Sequence, residues 1–289
     1  MGRLIDPKET IEILKKYDFI FSKRFGQNFL IDEHVLGKIL RAADVTREDA
    51  VLEIGPGIGT MTQALADAAG QVVAVEIDEK LLPILSETLR DFDNVTVIHA
   101  DILETDIREL SLKYAGGKPF KVVANLPYYI TTPIIMGLLE KDLPVTSITV
   151  MVQKEVAQRM QEKPGSKDYG ALSLSVQYYA EPYLAANVPR NCFMPRPDVD
   201  SAVIRLTKRK EPPVTVQDPA LMFRLIRASF SMRRKTLMNG LKNAGDLGFS
   251  GETLESAVLS LGKGLTVRGE TLSLQDFASL SDRLTAVRA

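Results

Sequence analysis

The chain has 289 residues, 45% apolar and 25% charged, with 36 Lys and Arg against 37 Asp and Glu. That is the composition of a globular protein of about two domains, and it argues against a disordered or membrane chain. A single cysteine, Cys192, excludes an internal disulfide and a multi-cysteine metal centre, and His34 and His99 lie too far apart in sequence to suggest a zinc site, so no metal is expected.

No apolar run is long enough to cross a bilayer, and MGRLIDPKET at the N-terminus lacks the apolar core of a signal peptide. A reducing, cytoplasmic setting is the expectation. The near-neutral total hides an asymmetry. Residues 76–109 hold ten acidic and three basic side chains, a balance of −7, and residues 205–242 hold ten basic and two acidic, a balance of +8. The basic stretch fits a polyanionic partner or a solvated helix face, and the charge count alone leaves both open.

In chain order, QNFLIDEH (27–34) reads as a helix start with Asp32 as its cap. Strands are expected at VLEIG (51–55), VVAVEI (72–77), VTVIHAD (95–101), KVVANL (121–126) and SITVMVQ (147–153), then at SLSVQYY (173–179) and AVIRLT (202–207). Between the early strands TMTQALADAA, EKLLPILSETLRD and TTPIIMGLLEK carry apolar residues at helical spacing. This alternation predicts an α/β fold, a mostly parallel sheet with helices on both faces. After residue 207, KRKEPPVTVQDP reads as a linker. PALMFRLIRASF, RRKTLMNGLK, ETLESAVLSLG and SLQDFASLSDRLTAVR follow at helical period and predict a small all-helical domain, giving a division into 1–207 and 208–289.

Parallel sheets bind ligands at the carboxyl ends of their strands, and the unusual residues gather there. EIGPGIGT (53–60) follows the first strand, and Gly55, Gly57 and Gly59 permit a close backbone approach. The spacing is G-x-G-x-G and not the G-x-G-x-x-G of dinucleotide enzymes. Glu76 ends the next strand, 21 residues after Gly55, where a carboxylate can hold ribose hydroxyls. Asp101 is placed to accept from an adenine amino group, or to cap the following segment. Asn125 opens NLPYYITTP (125–133), an amide followed by a turn and two tyrosines at the end of an otherwise apolar strand. Tyr129 reads equally as core or as functional, and Cys192 as a buried inert thiol. Four polar strand ends together point to a nucleoside ligand.

The order of EIGPGIGT, Glu76, Asp101 and NLPY resembles the class I S-adenosylmethionine-dependent methyltransferases that act on nucleobase amino groups. KRFGQNFLID (23–32), NLPYYITTPII (125–135), MVQKEVAQRM (151–160), FMPRPDVDSAV (193–203) and FSMRRKTLMNGL (230–241) narrow the resemblance to the ribosomal RNA adenine dimethyltransferases, in particular those of the bacterial small subunit. The resemblance implies a Rossmann-like sheet and S-adenosylmethionine as cofactor, bound by Asn28, Leu30, Gly55, Gly57, Glu76, Asp101 and Asn125. It implies N6 dimethylation of two adjacent adenines near the 3′ end of small-subunit rRNA, in an assembling subunit.

Asn125 with the Leu126–Pro127 turn would accept the amino hydrogens. Tyr128 would stack on one face of the base and Phe193 on the other, with the base flipped into the pocket. Lys23, Arg24, Arg224, Arg227, Arg233, Arg234 and Lys235 would contact RNA phosphates, the last three opening a helix. A monomer is expected. The alternatives are a large-subunit adenine methyltransferase of the macrolide-resistance type, and a non-catalytic ribosome-assembly factor of the same fold. A DNA adenine methyltransferase would carry Asn- or Asp-Pro-Pro-Tyr, which is absent.

Overall fold

The structure, a computed structural model, describes residues 4–22, 25–232 and 235–288, with the Arg288 side chain left aside. The chain divides into two compact units. The first comprises Met1–Ala157 and Glu181–Lys208, and the second Gln158–Ala180 and Arg209–Ala289.

In the first unit α1 (Pro7–Lys16), β1 (Phe29–Leu30) and α2 (Glu33–Ala43) precede the alternating elements. These are β2 (Ala50–Ile54), α3 (Thr60–Ala68), β3 (Gln71–Glu76), α4 (Leu82–Thr88), β4 (Val95–His99), α5 (Ile107–Tyr114), β5 (Phe120–Asn125), α6 (Thr131–Glu140) and β6 (Val145–Gln153). After α7 (Lys154–Gln161) and α8 (Ala171–Tyr179) come β7 (Ala180–Val188), β8 (Phe193–Met194) and β9 (Ser201–Lys208).

The seven-stranded sheet has the order β4-β3-β2-β5-β6-β9-β7. Strands β4 to β6 pair in parallel, and β9 runs antiparallel to β6. One face presents Val51, Val72, Val123, Met151 and Val203 to Val35, Leu36 and Ile39 of α2 and Met61 and Leu65 of α3, all in one buried cluster. Leu52, Val122 and Val150 point to the opposite face and are equally buried. Burial on both faces is why these strands read as continuous β-branched runs and not as alternating ones.

Asp32 does cap α2. Its Oδ1 accepts from the Val35 N–H at 2.9 Å, and that bond holds the carboxyl below the usual range. Asp106 caps α5 in the same way, accepting from the N–H groups of Arg108 and Glu109, a contact worth about 1 kcal/mol.

The second unit holds α8, α9 (Pro219–Phe230), α10 (Leu237–Asn243), α11 (Gly251–Leu259) and α12 (Leu274–Arg288). Two expectations change here. SLSVQYY is helix, not strand: Leu174, Val176 and Tyr178 alternate as a strand would, yet Leu174 and Tyr178 also lie one turn apart. Both belong to the cluster of Leu221, Leu225, Leu241 and Phe277, so this helix belongs to the helical unit although it precedes residue 208. Lys235 does not open a helix. It precedes the Thr236 cap of α10, whose side chain accepts from the Asn239 N–H. Among the described residues no helix is long and apolar enough to cross a membrane.

Candidate active site

Most of the predicted strand-end residues meet around one cavity in the first unit, at the carboxyl ends of β2 to β5. Its lining includes Asn28, Leu30, Glu53, Gly55, Gly57, Glu76, Asp101 and the run from Asn125 to Ile130. The glycine loop turns the chain from β2 into α3. Gly55, Gly57 and Gly59 have φ of 68°, 61° and 94°, in the left-handed region that a side chain disfavours. Gly57 is also limited by space, since a Cβ there would lie 2.9 Å from Cε1 of Phe29.

Glu76 fastens this loop to the end of β3. Its Oε2 accepts from the Gly57 N–H at 3.2 Å, and its Oε1 from the N–H groups of Ile77 at 2.9 Å and Asp78 at 2.8 Å. Burial pushes its carboxyl above the usual range, and the three amides oppose the shift. Asp101 does not cap α5. It closes a local turn, with Oδ1 accepting from the Leu103 N–H at 2.9 Å. Exposed Ile77 and half-buried Ile102 add apolar wall beside these carboxylates.

Asn125 is fixed by the N-terminal segment. Its Nδ2 donates to the Asn28 carbonyl at 2.8 Å, and Asn28 in turn donates to the Gly26 carbonyl at 3.0 Å. With the amide nitrogen engaged, Oδ1 is the accepting end. Leu126 is buried, and its N–H donates to Met151 in β6. The Pro127 carbonyl accepts both the Ile130 N–H at 3.2 Å and the Thr131 hydroxyl at 3.1 Å, which sets the tight turn before α6. Tyr128 is half-buried, with its hydroxyl 2.7 Å from that of Ser201. Burial pushes this phenol above its ordinary pKa.

The structure departs from expectation at Phe193. Its ring is 4% exposed, lies in the core cluster with Leu30, Met151 and Cys192, and does not line the cavity. It sits in a two-stranded ribbon at the cavity wall: β8 pairs antiparallel with β1, Leu30 opposite Phe193 and Phe29 opposite Met194. Cys192, just before it, donates to Asp32 at 3.4 Å, and burial pushes its thiol up to about 11, so it stays protonated at neutral pH.

Of the expected phosphate contacts, Arg227 and Lys235 are exposed, and Arg224 donates to the Asp246 carbonyl at 3.1 Å. Lys23, Arg24, Arg233 and Arg234 lie outside the described residues.

Sequence reasoning missed Glu53. It is fully buried and lines the cavity, and neither carboxyl oxygen makes a hydrogen bond of good geometry, although the Thr62 hydroxyl approaches it. Burial pushes its pKa from 4.5 to about 8; the Glu76 charge adds to this and the nearby Thr62 hydroxyl opposes it. A charged residue inside the otherwise apolar run VLEI was the available signal. A buried carboxyl without a well-formed hydrogen bond, and a Gly55 above which a Cβ would meet nothing within 4 Å, together fit a cavity that takes a polar small molecule such as S-adenosylmethionine.

Comparison with known proteins finds relatives along most of the chain. The chain is 62% identical to a ribosomal RNA small subunit methyltransferase A from Lachnoclostridium phytofermentans, over 98% of each chain. A dimethyladenosine transferase from Plasmodium falciparum superposes with a TM-score of 0.73 at 26% identity, covering 87% of this chain and 95% of that one. The 23S rRNA methyltransferase ErmE gives 0.66 at 28% identity, covering 89% and 100%. The ribosomal RNA adenine dimethylase model matches residues 19–264, most of the chain, and the protein belongs to that family.

Proposed function

We propose that this protein methylates the exocyclic N6 of two adjacent adenines near the 3′ end of small-subunit rRNA, in the cytoplasm and within an assembling subunit, with S-adenosylmethionine as donor. The observation that carries the reading is Asn125, a carboxamide at the end of β5 whose nitrogen is tied to the Asn28 carbonyl, so that its oxygen is the accepting end. The identity of the relative from Lachnoclostridium phytofermentans supports the small-subunit target.

The cofactor would be held by Asn28, Leu30, Gly55 and Gly57, by Glu76 at the ribose hydroxyls, and by Asp101 at the adenine. When bound it supplies a methyl group activated on a sulfonium. Oε1 of Glu76 already accepts twice and Oε2 once, which leaves one lone pair on Oε2, so the carboxylate can tie the glycine loop and accept from one ribose hydroxyl as well.

The protein's own groups then act on the nucleophile. An adenine amino nitrogen is weakly nucleophilic because its lone pair is delocalised into the ring. Accepting both its hydrogens draws that pair out of conjugation. Asn125 Oδ1 takes one hydrogen and a carbonyl of the Leu126–Pro127 turn the other. Since the Pro127 carbonyl already accepts twice, Leu126 supplies it. Neither group is a strong base, so the work is one of orientation and charge. Tyr128, its ring steadied through Ser201, stacks on the base for about 1–3 kcal/mol. Phe193, opposite Leu30 of the cavity wall in the β1–β8 ribbon, is the residue that the family resemblance places on the other face of the base. Arg224, Arg227 and Lys235 of the second unit, with Lys23, Arg24, Arg233 and Arg234, would neutralise phosphates without reading sequence.

The test uses tritiated S-adenosylmethionine, small ribosomal subunits lacking adenine methylation, and an Asn125→Ala variant, with nucleosides identified after digestion. Dimethyladenosine from the wild type, with a loss of about 10²–10³-fold in the variant, is expected. Label on large-subunit RNA would move the target to the other branch of the family. Cofactor binding without transfer would leave an assembly factor.

A further inference from the structure

The two tyrosines of the NLPYYI turn part company. Tyr128 is drawn inward to Ser201, whereas Tyr129 is 61% exposed. Among the described residues, two exposed large apolar side chains line the cavity, Ile77 and Tyr129, and only Tyr129 is aromatic. Its ring lies beside Gly26. Gly26 has φ of 57°, and a Cβ there would lie 3.6 Å from Cδ1 of Tyr129. Burial therefore does not explain this ring, which stands at the rim of the cavity beside Gly26.

Flipping a base into a pocket removes it from the stack and leaves its neighbour without a partner on one side. An aromatic ring at the pocket rim offers that neighbour a new partner, and every base has a face to stack. We propose that Tyr129 stacks on the nucleotide flanking the target adenine, so that recognition extends over two consecutive bases: one taken in beside Asn125 and Tyr128, the next held outside by Tyr129. The inference rests on the reading of the protein as an rRNA adenine methyltransferase. For a substrate with two adjacent adenines, the base held outside is the other adenine in one of the two transfers, and stacking tolerates a different base in the other.

The test compares wild type, Tyr129→Leu and Tyr129→Phe on unmethylated small ribosomal subunits, with S-adenosylmethionine affinity measured separately by calorimetry. Leucine keeps apolar bulk and loses the π face. Tyr129→Leu should raise KM for the subunit by about 5- to 150-fold, the equivalent of one stacked base, with kcat changed far less. Tyr129→Phe should restore KM to near wild type, and all three should bind cofactor equally. An unchanged KM in Tyr129→Leu overturns the proposal. So does a KM change matched by an equal loss of cofactor affinity, which would make the ring a brace for the segment around Gly26. If the wild type methylates no subunit while binding cofactor, the rRNA reading itself fails and this one with it.

Discussion

Glu53 makes a prediction whose size follows from its burial. The native carboxyl keeps its proton up to about pH 8, while an unfolded glutamate loses it near 4.5. Between those values the native state binds one more proton than the unfolded state, so stability must fall as pH rises. The slope is about 1.4 kcal/mol per pH unit, and over the whole window the loss reaches about 4–5 kcal/mol. Glu53→Gln removes the titration and leaves a side chain of the same shape. Any constant cost of burying the amide shifts its profile without tilting it, so the slope is the quantity to compare. Urea unfolding of wild type and variant, followed by circular dichroism between about pH 5 and 9, gives both profiles. The wild type should lose stability relative to the variant across this range and level off above pH 8. Parallel profiles would refute the reasoning, because they would mean that the carboxyl is solvated or paired and ionises normally.

Gly57→Ala places a methyl group in the left-handed region against the Phe29 ring. It should cost about 1–3 kcal/mol by urea unfolding and weaken cofactor binding in calorimetry by roughly tenfold or more. Tyr128→Phe and Ser201→Ala each break the hydroxyl pair while keeping the ring. Each should slow methyl transfer by about 3- to 10-fold, a net hydrogen bond's worth, and the double variant should be no slower than the worse single one. Additive losses would show that the two residues act separately.

The parallel strands were legible because burial on both faces makes them unbroken runs of Val, Ile and Ala. The polar residues ending β3 and β5 stood out against those runs, whereas Glu53 inside β2 did not. The rest depended on contacts between distant residues. β1 and β8 have two residues each, too few for any period, and their pairing spans more than 160 positions. That pairing seats Phe193 beside Leu30 of the cavity wall, which no local pattern could reveal. Strand β7 contains Pro182 and no clean alternation. The helix at SLSVQYY satisfies both periods at once, and only its partners in α9 and α12 decide between them. The Tyr128–Ser201 pair joins two motifs, each of which looked complete alone.

The second unit is built from two separated pieces of chain, with Glu181–Lys208 returning to the first unit between them. During synthesis Tyr169, Leu174 and Tyr178 emerge before the helices that bury them exist, and the partners in α9 follow only after about 40 more residues. At 5–20 residues per second that leaves an apolar helix face uncovered for several seconds. Ending the chain at Lys208 would make the exposure permanent. A shortened protein designed to isolate the first unit must therefore also replace Tyr169, Leu174 and Tyr178 with polar residues, or it will aggregate through them.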